Sequence, residues 1–363
     1  MSDDVYFKLG ERLNQYQVKM LLVEPYLNIL REIYREEEAG VGSELPIGAY
    51  PASELAAMLG WDEKSLTEVL ETMADRGTVF VTKEEGISHY ALTPFVPGVV
   101  EFQLMRGTDT PKDRKVARML HDFMEGDIKE MTREALKDPE IAKQMIRDAP
   151  ARTITVEEEL PQGTQIYPFE KLTELVDQES FFAAAKCYCR HHAYLIDQPC
   201  KVEGVPEYSC LMFGKAAEYI VDRGFGKQIT REEAHQILEA TEEAGLVHNT
   251  NNWIENTGFI CNCCGCCCGF LKIVKEYDSS AWLESSNFKV QADLDECVGC
   301  GDCIDRCQMD ALSLEDEVVA IDEDRCIGCG NCVTVCPSEC LSMVRRSEKS
   351  PPEGGDALKA LGI

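Results

Sequence analysis

The chain has 363 residues, of which 44% are hydrophobic, and it carries a formal net charge of −29 at pH 7. This length and composition are typical of a folded protein with two or three domains, and they exclude a wholly disordered chain. The negative charge opposes nonspecific attraction to nucleic acid and to anionic membrane surfaces, and it favours protein partners with a basic docking surface.

The N-terminal residues MSDDVYFKLGERLNQ contain no secretory signal pattern, because they are polar and acidic where a basic stretch and an apolar run would be needed. No apolar run approaches the roughly 18 residues that predict a membrane span. We therefore expect a cytoplasmic protein with no membrane span.

The first 110 residues are predicted to contain a helical element followed by an α+β unit. Apolar residues recur at helical spacing over residues 16–38, with a break or kink at Pro25. Ser53 and Asp62 are the predicted caps of two further helices, and the runs TVFVTK and SHYALT around EEG predict a β-hairpin. The order helix, turn, helix, hairpin resembles a winged helix-turn-helix domain.

The second helix of this winged-helix-like unit has an acidic surface. Over residues 62–76 its only basic residues are Lys64 and Arg76, against Asp62, Glu63, Glu68, Glu71 and Asp75. Phosphate contacts supply most of the nonspecific affinity for DNA, so this surface would repel a duplex. We therefore expect a structural or protein-docking unit and no nucleic acid partner. A redox-sensing winged-helix transcription regulator is the alternative that would use DNA.

Residues 111–149 again show helical spacing, with a break at Asp138-Pro139. One apolar stripe of this segment consists of Met119, Leu120, Phe123 and Met124. The stretch ARTITVEEELPQGTQIYPF that follows predicts an extended linker or a short strand.

The cysteines number 19, and none of them lies in the first 186 residues. Because the count is odd and the thiols are clustered, a chain of a reducing compartment is expected to use them as metal ligands rather than as a disulfide framework. Ten of them form a middle group of candidate metal ligands: Cys187, Cys189, Cys200, Cys210, Cys261, Cys263, Cys264, Cys266, Cys267 and Cys268.

These ten thiols are sufficient for one or two metal clusters, but their spacing does not decide which of them bind. Iron–sulfur clusters are expected in preference to zinc. The zinc alternative is a structural site that His191, His192 or His248 would help to close. Arg190 is expected to donate hydrogen bonds to a cluster sulfur or to a carboxylate.

Cys263-Cys264-Gly265 resembles the CCG motif of heterodisulfide-reductase-like proteins. The resemblance stops there, because the nearest upstream cysteine, Cys210, is not at the spacing of that motif, and the downstream cysteines belong to another one. The motif therefore assigns no activity to the middle group.

The C-terminal cysteines repeat one spacing, a C-x2-C-x2-C-x3-C run. The first run is Cys297, Cys300, Cys303 and Cys307, and the second is Cys326, Cys329, Cys332 and Cys336, followed by Pro337. Three thiols at this spacing in a glycine-containing loop can bind three corners of a [4Fe-4S] cubane, whereas zinc sites have longer spacers between their cysteine pairs.

The doubled spacing resembles bacterial two-cluster ferredoxins over about residues 290–345, where Gln308 replaces the usual proline. The resemblance implies that each cluster takes its fourth ligand from the other run. One cluster would bind Cys297, Cys300, Cys303 and Cys336, and the other Cys326, Cys329, Cys332 and Cys307. Cys340 lies outside the pattern and is expected to be a buried apolar residue.

The complete order of segments resembles multidomain 4Fe-4S binding proteins of anaerobic bacteria. The expected fold class is α+β and multidomain: an N-terminal helix plus winged-helix-like domain, a helical segment with a linker, a cysteine-rich metal-binding domain, a two-[4Fe-4S] ferredoxin domain and a tail. The predicted bounds of these segments are 1–110, 111–180, 181–284, 285–345 and 346–363.

The expected function is iron–sulfur electron transfer, by a soluble carrier or by the electron-input subunit of a redox complex. Two ferredoxin clusters and at least one more cluster would carry the electrons. An oxidoreductase with a non-standard cluster in the middle domain is an alternative, although the sequence shows no catalytic residues and no nucleotide-binding loop.

Overall fold

A computed structural model describes residues 4–126, 149–254, 257–277 and 282–353, together with residues 129, 130, 133, 134, 138, 140 and 141. Its helices and sheets give a mixed α+β architecture. Across the described ranges, it contains no helix long and apolar enough to cross a membrane.

Three helices open the chain: α1 (Val5–Leu13), α2 (Glu24–Ile33) and α3 (Glu36–Glu44). The single helical element predicted over residues 16–38 is therefore wrong in its bounds. Pro25 lies in the first turn of α2, where its missing N–H costs no hydrogen bond, and it starts a helix instead of kinking one. The apolar spacing over residues 16–23 belongs to irregular chain that packs on the same core.

The next unit contains β1 (Tyr50–Pro51), α4 (Ala52–Leu59), α5 (Glu63–Asp75), β2 (Val79–Glu84) and β3 (Ile87–Leu92). Its three strands pair in the order β1-β3-β2. Asp62 caps α5 by accepting a hydrogen bond from the Ser65 backbone N–H, as predicted. The cap predicted at Ser53 is wrong, because Ser53 lies inside α4 and Pro51 occupies the N-cap position.

An irregular turn with non-helical backbone angles at Val96, Pro97 and Gly98 follows, and after it come α6 (Val100–Met105) and α7 (Pro111–Glu125). The predicted stripe on α7 is partly buried: Leu120 and Phe123 are in the core, and Met119 and Met124 pack against it. Pro139 of the predicted helix break lies outside the described residues.

The middle of the chain forms a seven-stranded sheet in the order β10-β4-β8-β9-β6-β5-β7. Neighbouring strands are antiparallel except for β10 and β4. The strands are β4 (Ala151–Ile154), β5 (Phe182–Lys186), β6 (Tyr208–Phe213), β7 (Lys227–Ile229), β8 (Val247–Asn251), β9 (Phe259–Cys263) and β10 (Leu283–Glu284). The ARTI segment is thus a strand of this sheet.

Five helices accompany the sheet: α8 (Leu172–Asp177), α9 (Tyr188–Leu195), α10 (Gly214–Asp222), α11 (Arg231–Glu243) and α12 (Gly269–Tyr277), with short 3-10 turns at Glu157–Glu159 and Pro168–Glu170. The N-terminal unit packs on this region. Arg223 forms 2.8 Å ion pairs with Glu71 and Asp75 of α5, and the Tyr219 hydroxyl donates to the backbone carbonyls of Ala74 and Val79. Part of the acidic surface of α5 is therefore already neutralised within the chain.

The C-terminal region contains two small antiparallel sheets and one short helix. Strands β11 (Phe288–Ala292) and β14 (Leu341–Arg345) pair with each other, and so do β12 (Leu312–Glu315) and β13 (Val318–Ile321). The helix α13 (Asp302–Arg306) lies within the first cysteine run. One of these sheets is a hairpin, β12 and β13, whereas β11 and β14 pair the two ends of the segment that carries the eight C-terminal thiols.

Candidate metal centres

The loops of the two C-terminal cysteine runs depend on glycine. The glycines inside both runs have positive φ angles: Gly299, Gly301, Gly328 and Gly330. At Gly328 a Cβ atom would also lie 1.9 Å from the backbone oxygen of Phe288, so no other residue fits there without moving the chain. The tight turns that the sequence predicted from these glycines are present.

Two separate cavities are enclosed by the C-terminal thiols. The first is lined by thiols of both runs, Cys297, Cys300, Cys303 and Cys336. The second is lined by the other four, Cys326, Cys329, Cys332 and Cys307. Each cavity therefore brings together three thiols of one run and the last thiol of the other.

Backbone amides point at the sulfurs of both cavities. The Val319 N–H donates to Cys297 Sγ at 3.4 Å, and the Ala311 N–H donates to Cys307 Sγ at the same distance. Burial raises the pKa of Cys329 to about 12. A thiol in this environment becomes a thiolate only when a positive group such as a metal compensates its charge.

Cys340 is buried, as predicted, but it is not remote from the first cavity. It belongs to the lining of that cavity, and its Sγ lies 3.5 Å from Cys336 Sγ. Burial raises the pKa of Cys340 to about 11. Cys340 is therefore a direct neighbour of the four-thiol set, which its position outside the spacing pattern could not reveal.

The ten middle thiols divide into two groups. Six of them form a closed ring of side-chain contacts, which we call the thiol ring, in the order Cys187, Cys189, Cys268, Cys263, Cys261, Cys210 and back to Cys187. The remaining four form the thiol tetrad, in which each sulfur contacts the other three: Cys200, Cys264, Cys266 and Cys267.

The sheet explains how residues far apart in sequence meet in the thiol ring. Cys261 and Cys263 are two positions apart on β9, so their side chains share one face, and Cys210 on β6 is the direct register partner of Cys261. Cys187 ends the connection from β5 into α9, and Cys268 precedes α12. Two strands, β6 and β9, and the starts of two helices, α9 and α12, thus contribute the sulfurs of the thiol ring.

Helix starts and one cation face the thiol ring. The Arg190 backbone N–H donates to Cys187 Sγ, and the Leu271 backbone N–H donates to Cys268 Sγ. Burial alone would lower the pKa of the Arg190 guanidinium, but the thiols of Cys187 and Cys210 raise it well above its usual value. Neighbouring thiols and the charge of Arg190 lower the pKa of Cys187, whereas neighbouring thiols and burial raise the pKa values of Cys189, Cys210, Cys261 and Cys268 well above the usual value of a thiol.

The hydrogen bonds of Arg190 differ from those predicted. Its guanidinium donates to the Asn262 backbone carbonyl at 2.9 Å and to the Ser209 hydroxyl, so neither a sulfur nor a carboxylate is the acceptor. These bonds fix the cation between β6 and β9. Arg190 acts on the thiols through its charge.

The thiol tetrad is compact. Its four sulfurs all lie within 4.8 Å of one another. The sulfur–sulfur distance is 3.6 Å from Cys200 to Cys264, 3.7 Å from Cys200 to Cys266 and 3.6 Å from Cys266 to Cys267. Backbone N–H groups of Val202 and Lys201 donate to the sulfurs of Cys200 and Cys266. The tetrad joins an irregular loop after α9 to the turn between β9 and α12.

The three histidines of the zinc alternative make other contacts. His191 and His192 each place Nε2 against a backbone carbonyl, of Thr108 at 2.8 Å and of Ala117 at 2.9 Å. His248 Nδ1 lies 2.7 Å from the side-chain oxygen of Asn262. Within the described part of the chain, the tetrad is the group whose possible metal-ligating atoms lie close enough together to share one ion, and it contains no histidine.

Gln308 connects the middle thiols to the second C-terminal cavity. Its Oε1 accepts from the Gly265 backbone N–H at 2.8 Å, and its Nε2 donates to the Gly245 carbonyl at 3.0 Å. A Cβ atom on Gly265 would lie 2.0 Å from the Gln308 backbone oxygen, which shows how closely the two loops approach. A proline at position 308, as in the two-cluster ferredoxins, could make neither side-chain bond.

Two cavities lie beside the middle thiols, each with a volume of about 150 Å³. One is lined by Cys210 and Cys261 of the thiol ring together with Glu101 and Tyr188. Burial raises the pKa of Glu101, whose carboxylate oxygen accepts a 2.6 Å hydrogen bond from the Gly98 backbone N–H. The other cavity is lined by Cys189, a ring member, and by tetrad members.

The comparisons with known proteins concern the C-terminal region. A family model described as a 4Fe-4S dicluster domain matches residues 290–343. No curated protein and no solved structure matches the chain. The family match supports a ferredoxin-like domain at the C-terminus. Together with the cysteine-rich middle region, it indicates an iron–sulfur electron-transfer protein.

Proposed function

We propose that this protein transfers electrons through a chain of iron–sulfur clusters, as a cytoplasmic carrier or as the electron-input subunit of a redox complex. The observation that carries the proposal is the continuity of its thiol sites. Cys307, Cys326 and Cys329 of the second C-terminal cavity pack against the same buried cluster as the middle thiols. Adjacent redox centres in one core are the arrangement that electron transfer requires.

The two C-terminal cavities would each hold one [4Fe-4S] cluster. The donor sets fit, because each cavity contains the four thiols of one set, with Cys340 as a fifth thiol in the first cavity, and backbone amides donate to Cys297 and Cys307. The fourth ligands would be Cys336 for the first cluster and Cys307 for the second. Bound clusters supply one-electron chemistry, and the protein tunes it through burial and hydrogen bonds to sulfur.

The thiol ring would hold a third cluster. Its donor set is larger than the four thiols of a cubane, and the N–H groups at the starts of α9 and α12 face its sulfurs. The cation of Arg190 offsets part of the negative charge of such a cluster. Electrons that enter at the C-terminal region would then reach the middle region past Gln308.

The surface beside the first cavity suits a partner protein. Cys300 is exposed, and so are the apolar residues Leu294, Val298 and Leu314, which are 51%, 67% and 43% exposed. Exposed carboxylates surround this patch: Asp293, Asp295, Glu296, Asp302, Glu315, Asp316 and Glu317. An apolar centre with an acidic rim fits a redox protein that has a basic docking surface.

Anaerobic redox titration of the full chain tests the proposal. Dithionite should reduce at least two types of cluster, with distinct electron paramagnetic resonance signals, and the reduced chain should pass its electrons to a basic redox protein. A chain whose clusters resist dithionite, or whose reduced form donates to no redox protein, would contradict electron transfer.

A second candidate function is an oxidoreductase whose active centre is the cluster of the thiol ring. The cavity beside Cys210 and Cys261 favours it, because its volume of about 150 Å³ suffices for a small molecule and Glu101 could supply a proton there. Carbon monoxide is a suitable probe for an open coordination position. A change in the spectrum of the reduced middle-region cluster supports this function, and spectra that are unchanged by the gas contradict it.

We propose no nucleic acid partner. The ion pairs of Glu71 and Asp75 with Arg223 hold one end of α5 against the middle region, and the helix remains acidic elsewhere. A regulator would have to present this helix to phosphate groups. A cluster-dependent, sequence-specific shift of promoter DNA by the chain would contradict this part of the proposal.

A further inference from the structure

We infer that the thiol tetrad, Cys200, Cys264, Cys266 and Cys267, binds one tetrahedrally coordinated metal ion, Zn²⁺ or Fe²⁺, and not an iron–sulfur cluster. This site goes beyond the electron-transfer proposal, which uses the C-terminal cavities and the thiol ring. It also differs from the expectation, based on sequence, that a further cluster is favoured over zinc for the middle thiols.

The spacing of the sulfurs carries the inference. Four thiolates around one ion, at a metal–sulfur distance of about 2.3 Å, lie at the corners of a tetrahedron whose edges are about 3.8 Å. The measured sulfur–sulfur distances in the tetrad are 3.6, 3.7 and 3.6 Å. Every pair of sulfurs in the tetrad is separated by less than 4.8 Å.

A cubane requires wider spacing. Each of its four ligand sulfurs binds a different metal atom and points away from the cluster centre, so the sulfurs are farther apart than around a single ion. The thiols of the C-terminal cavities surround an enclosed space in this way. The thiol ring is also more open than the tetrad, because among the described residues only the tetrad brings three or more sulfurs within 4.8 Å of one another.

The surroundings of the tetrad complete a closed site. All four positions of a tetrahedral ion are filled by protein thiolates, which is typical of structural sites. The Val202 and Lys201 backbone N–H groups donate to two of the sulfurs and offset part of the net negative charge of a divalent ion with four thiolates. Cys264 and Cys267 are buried, whereas Cys200 and Cys266 are half-buried.

The position of the site indicates what the ion does. It ties the irregular loop that contains Cys200 to the turn 264–267, and Gly265 of this turn contacts Gln308. The same turn separates Cys263 from Cys268, two members of the thiol ring. The ion therefore holds the turn 264–267 in place. This turn also positions Cys263 and Cys268 of the thiol ring and the contact between Gly265 and Gln308.

Counting of zinc, iron and acid-labile sulfide in the anaerobically purified full chain tests the inference. In the double variant Cys200→Ala/Cys266→Ala we expect a loss of about one metal ion per chain with unchanged sulfide, because a single-ion site contains no bridging sulfide. The matched control is Lys201→Ala in the same loop, which removes an exposed side chain and leaves its backbone N–H. It should retain all metal.

Parallel loss of about four irons and four sulfides in the double variant would show a cubane and overturn the inference, and so would unchanged metal content. X-ray absorption and Mössbauer spectra of the wild-type chain give a second readout that does not depend on the folding of a variant. A zinc or isolated iron ion with four sulfur neighbours supports the inference in either form. Absence of zinc, with every iron in a sulfide-bridged cluster, overturns it. Neither readout depends on whether the chain transfers electrons.

Discussion

The C-terminal and middle regions build thiol sites in opposite ways. In the C-terminal region, three thiols of each site come from one short loop with regular spacing, and one thiol comes from the other run. In the middle region, the thiol ring draws on two strands and two helix starts that span residues 187–268. Local spacing therefore specifies the first kind of site, whereas sheet register specifies the second.

The difference extends to the neighbours within CNCCGCCC. Adjacent cysteines in this segment serve different sites: Cys263 belongs to the thiol ring and Cys264 to the tetrad. Side chains of successive residues leave an extended strand in opposite directions, so the change of site at this step follows from backbone geometry. Of the three CxxC pairs in this segment, Cys264 with Cys267 shares a site, whereas Cys261 with Cys264 and Cys263 with Cys266 do not.

The largest expected effect concerns the exchange of fourth ligands between the two runs. Cys307→Ala should abolish the same electron paramagnetic resonance signal as Cys326→Ala, because both thiols line the second cavity. Cys336→Ala should instead abolish the signal that Cys297→Ala abolishes. Each loss should amount to about one cluster, or four irons per chain. If Cys307→Ala and Cys297→Ala remove the same signal, the exchange is wrong.

A smaller effect is expected where the two regions meet. Gln308→Pro removes the hydrogen bonds to Gly265 and Gly245, which should destabilise this contact by about 2 kcal/mol. Amide hydrogen exchange of the Gly265 N–H, which donates to Gln308 Oε1, should accelerate by roughly thirtyfold.

Gln308→Glu is the matched control for this contact, because its carboxylate can still accept from the Gly265 N–H. It should preserve slow exchange at the Gly265 N–H, although it cannot donate to the Gly245 carbonyl as Gln308 Nε2 does. Equal exchange in wild type and Gln308→Pro would show that the two regions are held together elsewhere.

The charge of Arg190 should distinguish the middle region from the C-terminal one. A nearby cation stabilises the reduced, more negative state of a cluster, so Arg190→Met should lower the midpoint potential of the middle-region cluster, by on the order of 50 mV. The potentials of the C-terminal clusters should stay constant. Potentiometric titration followed by electron paramagnetic resonance measures both.

Arg190→Lys separates the charge of Arg190 from its hydrogen bonds. Lysine retains the positive charge but loses the paired hydrogen bonds to Asn262 and Ser209. The midpoint potential of the middle-region cluster should therefore stay close to the wild-type value. A shift as large in Arg190→Lys as in Arg190→Met would mean that position, rather than charge, sets the potential.

The smallest effect is expected at the docking surface. Val298→Ser should lower the second-order rate of electron transfer to a basic c-type cytochrome severalfold, because it removes the most exposed apolar side chain of the patch. The wild-type rate should fall as salt is added, since acidic residues surround the patch. Ile87→Ser, at an exposed apolar position on β3, is the matched control and should leave the rate unchanged. Equal rates for both variants would place the docking surface elsewhere.

Local signals in the sequence determined much of the fold. The cap of α5 at Asp62, the hairpin of β2 and β3, and the glycine turns of the cysteine runs depend on residues a few positions apart, and all are present. The α+β class and the ferredoxin-like C-terminal domain were predicted on the same basis. The bounds of the opening helices were not predicted correctly. A proline such as Pro25 is accommodated in the first turn of a helix but disrupts a helix when it lies in the interior, and the sequence pattern did not distinguish the two positions.

The tertiary structure alone decided how the ten middle thiols are grouped. The pairing of Cys210 with Cys261 depends on the register of β6 and β9, and no local spacing encodes a register between strands so far apart in sequence. The tertiary structure also explains why Gln308 replaces the usual proline of the ferredoxin pattern: its side chain accepts a hydrogen bond from Gly265, which is distant in sequence. The positions of the cysteines in the sequence determined which side chains can bind metal, whereas long-range packing decided which of them share a site.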